Sequence, residues 1–365
     1  MNPAMTDDQP EPGNPPARRR ARRLTRWRRA GQAGVSVLAV AATAVLTVGT
    51  GPARAAAAPA PAGPAALRHF NPLVPYISFG WLPAGQKLVA GDTRPGLQAL
   101  TAGRHSWTDQ SVWNLVVYAA GQCRLTGQAT QLTCSTPALA GLTAKITRPA
   151  PAVRGHRAFW AGPYLIWQYA RGGWAALALP YPADFPRLAT PAQLRKARHQ
   201  ARRIAAHVRY GAATPPLLFP VQLRNLPRKW RVGSVFYLPQ GRVFRAERFA
   251  LTAGTPNLGA DGGLEYQRNL PYFSNIDPAA ATHRRFCFRF PGSVVRIING
   301  HRVILSHRFS GALSRQDLCA GHAAGLDLYI SEFGTHPPLS LAALFRHHLR
   351  LLGDRPARWT AVPVT

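Results

Sequence analysis

Carboxylates are scarce in this chain, so any pair of them is worth testing as a catalytic set. Asp327 and Glu332 stand five residues apart, and two carboxylates at a strand end could act as acid and base on a glycosidic bond. Such positions more often face solvent. No GxSxG elbow, HExxH, P-loop or GxGxxG run is present to add a nucleophile, a metal or a nucleotide. The expectation is a protein that is not an enzyme, with an exported hydrolase as the alternative.

The histidines are more numerous, at twelve. His347 and His348 lie together near the C-terminus with His336 close by, but adjacent helical positions point about 100° apart and do not share an ion easily. No metal and no other cofactor is expected. His156 and His301 differ from the rest because each sits inside a Gly-His-Arg triplet. Five tryptophans, Trp107, Trp113, Trp160, Trp167 and Trp174, could line a groove for an apolar or sugar ligand, although strand alternation sends about half of such side chains into a core. Arg157, Arg171 and Arg302 would add charge. The candidate ligand-binding set is therefore Trp167, Trp174, His156, Arg157, His301 and Arg302.

Charge restricts the partners. The 365 residues hold 45 basic and 14 acidic side chains, a formal net charge of +31, and the only lysines are Lys87, Lys145, Lys196 and Lys229. So basic a protein adheres to polyanions. The N-terminus indicates which ones. Residues 1–32 are polar and Pro-rich and then hold eight Arg between Arg18 and Arg29. Residues 33–50, "AGVSVLAVAATAVLTVGT", carry no charge. Eighteen such residues can just cross a bilayer, and the preceding Arg cluster holds that end in the cytoplasm. "GPARA" offers a signal-peptidase site after Ala55, so the segment is a single-pass membrane helix or a removable signal. In either case the remainder is exported, and no nucleic acid partner is expected.

The Ala/Pro run at 51–66 reads as an extended linker. The four cysteines all follow it. An even number in an exported protein indicates two disulfides. Cys123 and Cys134 flank a polar turn at hairpin spacing, which favours pairing them with each other and Cys287 with Cys319.

The elements that would position these groups occur twice. "LPAG" at 82–85 and "LPQG" at 238–241 each precede "ALTAG", at 99–103 and 250–254. Gly-His-Arg follows in "VRGHRAFW" and "VVRIINGHRVILS", then a strand, a Gly-containing turn and another strand. Each half closes on an amphipathic helix. The first opens at Thr190 and Pro191 and stops at Gly211, with Leu194, Ala197, Ala201, Ile204 and Val208 on one face; the second opens at Ser340 and stops at Gly353. The expected fold class is α+β: two homologous modules, 67–228 and 229–365, each a curved antiparallel sheet with one C-terminal helix.

This arrangement of "WLPAG" or "YLPQG", "ALTAG", a Gly-His strand, a "YLIWQYARGGWAAL" hairpin and a final helix resembles the exported domains attached to extracytoplasmic-function anti-sigma factors. It is distantly similar to the sigma-E regulatory (MucB-type) and lipoprotein-carrier sheets. The resemblance implies an envelope sensor, carrier or scaffold holding an anionic envelope polymer, a lipid or a peptide. The short cytoplasmic stretch has no Cys or His and so lacks the zinc-binding helix bundle of an anti-sigma factor.

Overall fold

The computed structural model describes residues 70–105, 112–127, 130–134, 143–180, 190–211, 214–253, 272–278, 287, 289–310, 313–333 and 339–365. All of them fall in one compact unit. Residues 1–66, with the expected membrane or signal helix and the linker, lie outside the described residues, as does Trp107. Among the described residues no helix is long and apolar enough to cross a membrane.

The chain is mostly antiparallel sheet with few helices. It begins with β1 (Ile77–Phe79), β2 (Lys87–Arg94), β3 (Leu97–Gly103) and β4 (Trp113–Tyr118). A small excursion follows: β5 (Cys123–Thr126), β6 (Gln131–Cys134) and β7 (Thr143–Lys145). The main sheet resumes with β8 (Arg148–Val153), β9 (His156–Ala161), β10 (Tyr164–Ala170) and β11 (Gly173–Ala178). Helix α1 (Pro191–His207) and β12 (Val208–Tyr210) come next.

After them come β13 (Leu217–Leu218), β14 (Val221–Leu223), β15 (Trp230–Gln240), β16 (Val243–Ala253) and β17 (Tyr272–Pro278). A run of long strands follows, β18 (Val294–Ile298), β19 (His301–Ser310), β20 (Leu313–Ala323) and β21 (Leu326–Phe333). Helix α2 (Leu341–Ala343), a π-helical turn over Leu344–His348 and β22 (Leu349–Leu351) end the series.

One sheet of fifteen strands carries nearly all of this. From its middle the order runs β2-β3-β4-β11-β10-β9-β8 one way and β15-β16-β17-β21-β20-β19-β18 the other, with β13 added parallel to β16. The seam is the β2–β15 pairing. Only Thr93, Asp92 and Gly91 on one strand face Val235, Phe236 and Tyr237 on the other.

The large core lies on the helix side of the sheet and includes side chains from both halves, among them Trp113, Trp167, Ile204, Leu328 and Phe345. In the first half the opposite face is also covered. There β5–β7 packs Cys123, Leu132 and Cys134 onto Leu97, Ile166, Trp174 and Ala176. Cover on both faces explains why β11, "GWAALA", reads as an unbroken apolar run rather than an alternation. Both disulfides form, Cys123–Cys134 and Cys287–Cys319.

Three expectations need correction. The two Leu-Pro-x-Gly stretches are not equivalent. Leu82-Pro83 precedes β2, whereas Leu238-Pro239 ends β15 and Gly241 lies in the turn after it. Composition repeated the motif, while pairing aligns only the Ala-Leu-Thr-Ala segments, in β3 and β16.

The second helix is also shorter than its apolar stripe. Ser340 caps it, with Oγ accepting from the Ala343 N–H at 3.2 Å, but the helical path stops at His348. Asn299 Nδ2 donates to the Arg346 carbonyl at 2.9 Å, and Leu349–Leu351 leaves to pair with β14. Residues 217–223, inside the range 67–228 expected for the first module, pair with β16 and β22. The first helix begins as expected: Thr190 and Gln193 form a reciprocal capping box. It ends earlier, because Val208–Tyr210 pairs with β1.

The seam depends on a ring laid over a glycine. A Cβ added to Gly91 would lie 2.2 Å from Tyr237 Cζ. Tyr237 is fully buried, and its hydroxyl accepts from Gln98 Nε2 at 2.9 Å. Gly91→Val should therefore cost about 3 kcal/mol through overpacking, and Tyr237→Phe about 1–2 kcal/mol by leaving the Gln98 amide without its acceptor. Urea unfolding midpoints of the two variants check the ranking. A Gly91→Val chain as stable as wild type would contradict the seam geometry.

Candidate functional site

The candidate residues from the sequence do not converge. Trp167 and Trp174 lie on neighbouring strands but on opposite faces. Trp167 belongs to the helix-side core, with Nε1 donating to the Tyr210 hydroxyl at 3.2 Å. Trp174 lies beneath β5–β7, beside Phe159, with Arg157 5.1 Å above its ring. At 1% and 3% exposure neither lines an open groove, and Trp113 and Trp160 are buried in the same core as Trp167. Arg157 is also tied down, its Nε donating to Gln168 Oε1 at 2.9 Å.

His156 and His301 do hold matching places. Each follows a two-residue turn, Arg154-Gly155 and Asn299-Gly300, in which both residues have positive φ. That is the hairpin turn whose twist suits the flanking strands. The two turns belong to the outermost hairpins, at opposite ends of the sheet. His301 meets the Phe345 ring edge-on at 6.3 Å, a packing contact. Arg302 is exposed beside it.

The carboxylate pair separates as well. Asp327 and Glu332 are an odd number of residues apart on one strand, so they project to opposite faces. Asp327 accepts from the His322 N–H at 2.9 Å. His348 Nδ1 lies 3.0 Å from the Arg224 carbonyl, and among the described residues no cluster of His, Cys, Asp and Glu is placed to hold a metal.

Sequence reasoning missed a cleft in the C-terminal half. It has a volume of about 350 Å³ and is lined by Gly292, by Val294 and Arg296 of β18, Leu305, Ser306 and His307 of β19, Gln316 and Asp317 of β20, and Ser340, Leu341 and Ala342. The register places Arg296 opposite Val303, Val294 opposite Leu305, and His307 opposite Gln316. These side chains therefore share the helix-side face. The helices of the two halves differ. The 17 residues of α1 reach the edge strand β8 as well as β10, whereas α2 with its π turn packs on β20. Arg296 is exposed and makes no ion pair among the described residues.

Glu332 continues the same row, directly opposite Gln316. It is 1% exposed, and neither carboxylate oxygen has a hydrogen-bond partner. Burial raises its pKa to about 7, so the carboxyl stays mostly protonated just below neutrality and does not oppose the charge of Arg296.

The other face of these strands is a closed network. Asp317 accepts from Arg308 Nε at 3.0 Å, Arg315 Nε at 2.7 Å and Ser331 Oγ at 2.9 Å. The Tyr329 hydroxyl accepts from both arginines. Burial pushes the Asp317 carboxyl up, but the hydrogen bonds from Arg308, Arg315 and Ser331 outweigh it and hold it below the ordinary carboxylate range. Two cations on one buried anion make a structural clamp with one positive charge in excess.

Glu332 makes stability depend on pH. Its folded pKa of about 7 exceeds the ordinary 4.5, so its contribution is complete below pH 4.5 and is lost as pH rises to 7. The loss is roughly 3 kcal/mol at most. Glu332→Gln should match wild type in denaturant unfolding below this window and exceed it above the window. Equal stability of the two chains on both sides would contradict the buried, unpartnered carboxyl.

No protein-family model, no curated protein and no solved structure matches the chain.

Proposed function

We propose that this chain is an exported, membrane-tethered binding protein of the cell envelope, without catalytic activity, that holds an anionic group of a polymer, lipid or peptide in the cleft beneath β18–β20. The observation that carries the reading is the cleft with Arg296, His307 and Gln316 on its walls, in a chain of net charge +31. A carboxylate or phosphate in it would receive donors from a guanidinium and an amide, while the one carboxyl among the lining residues, Asp317, is already paired with Arg308 and Arg315.

Two disulfides support export to an oxidising compartment. The uncharged run at 33–50 behind eight arginines supports the tether. The mirrored strand order about the seam supports descent from two homologous modules, joined between Gly211 and Thr214 rather than at 228. In this reading the first module, closed on both faces, braces the second, whose shorter helix leaves room for ligand. The opposite-face placement of Asp327 and Glu332 weighs against the hydrolase alternative.

The test must separate this site from the general basicity. Poly-L-glutamate is titrated into the full chain and into two charge reversals, Arg296→Glu in the cleft and Arg195→Glu on the exposed face of α1. Equal changes in net charge should give unequal effects: about tenfold weaker binding for Arg296→Glu and little change for Arg195→Glu. Equal weakening by both would overturn the cleft as the site.

A further inference from the structure

The two ends of the fifteen-stranded sheet are built differently. At one end, β8 has prolines at 149 and 151 among its six residues and a bulge between Ala150 and Val153. Proline has no N–H to offer, and a bulge breaks the register, so this edge resists pairing. At the other end, β18 reads Val-Val-Arg-Ile-Ile, without proline and in unbroken register with β19. Among the described residues no strand pairs with its outward edge, which leaves alternate N–H and C=O groups there without a strand partner.

Two of its apolar side chains are also turned to water, Val294 at 50% and Ile297 at 67% exposure. The cleft runs along this same edge, with Val294 and Arg296 as one wall. A strand laid against β18 would alternate its side chains between the two faces. Those on the helix side would enter the cleft, and those on the other side would cover Ile297.

Resting on the binding reading above, we propose that β18 is a strand-addition site: an extended peptide pairs with its free edge and places an acidic side chain in the cleft against Arg296 and Gln316. Charge complementarity selects this occupant over a second copy of the chain. Arg296 is the central residue of the five in β18, so an antiparallel pair of β18 edges centred there would set one arginine directly against the other, an unfavourable cross-strand pairing. A peptide carboxylate at that position completes an ion pair instead. Backbone bonds would supply affinity and the cleft would supply selectivity.

The experiment uses the full chain in detergent micelles and a short fluorescent peptide of alternating Val and Thr with one central Glu, read by anisotropy. Three further probes accompany it: the same peptide with Gln for Glu, the same peptide N-methylated on alternate backbone nitrogens, and poly-L-glutamate. The proposal expects the Glu peptide to bind, the Gln peptide to bind about tenfold more weakly, and the N-methylated peptide to lose binding. Arg296→Glu should reverse the Glu-over-Gln preference.

Undiminished binding of the N-methylated peptide would overturn strand addition while leaving the anion cleft intact. So would poly-L-glutamate binding at Arg296 without any peptide binding. Failure of every anionic probe would remove both readings. Self-association of the free chain that Arg296→Glu or Ile297→Lys abolishes would assign the edge to a second copy and overturn the proposal.

Discussion

A tyrosine ring packed closely against a glycine marks the join between the halves of this protein. Only three residues on each of β2 and β15 pair, too short a ladder to hold two large sheets together by backbone bonds alone. The shared core adds to it, and at the seam itself Tyr237 needs the bare Cα of Gly91 beneath it and reaches through Gln98 to the backbone of Tyr76, 2.8 Å from the Gln98 oxygen. Burial raises the Tyr237 pKa and keeps the phenol protonated, so the contact is insensitive to pH in the ordinary range. Because this junction closes, the two halves share one core and present one continuous sheet.

Continuity has a consequence at the far ends. A sheet that is not a barrel keeps two edges, and each must be blunted, covered or used. Prolines and a bulge blunt β8. The opposite edge lacks those devices, and it is also where helical cover is shortest. The cleft and the open edge thus lie together, in the half where three α-helical residues and a π turn stand in place of a 17-residue helix. Arg296 stands at the junction of both features, on the only stretch of edge where a charged wall and unpaired backbone coincide among the described residues.

Much of the fold was legible in the sequence where local chemistry decides the structure. Thr190-Pro191 marked a helix start, and the cysteine spacing marked the disulfides. The Ala-Leu-Thr-Ala repeats fall in corresponding strands. What misled was similarity without pairing. Leu-Pro-x-Gly recurs because Pro and Gly suit many turns, and it serves a lead-in at 82–85 and a hairpin at 238–241. The second helix was read too long because Leu349 and Leu352 continue an apolar stripe, yet Leu349–Leu351 pairs with β14 instead. Trp167 and Trp174 looked like one groove because a sequence does not reveal that both faces of β10 and β11 are covered.

Amide hydrogen exchange on the free full chain tests the central claim most directly, because one measurement reports on the closed seam and the open edge together. The account predicts that the amides of Gly91–Thr93 and Val235–Tyr237 exchange as slowly as those of the sheet core, and that the outward amides of Val294–Ile298 exchange quickly. Fast exchange at the seam, with each half opening separately, would contradict the single sheet. Slow exchange at all β18 amides would contradict the free edge.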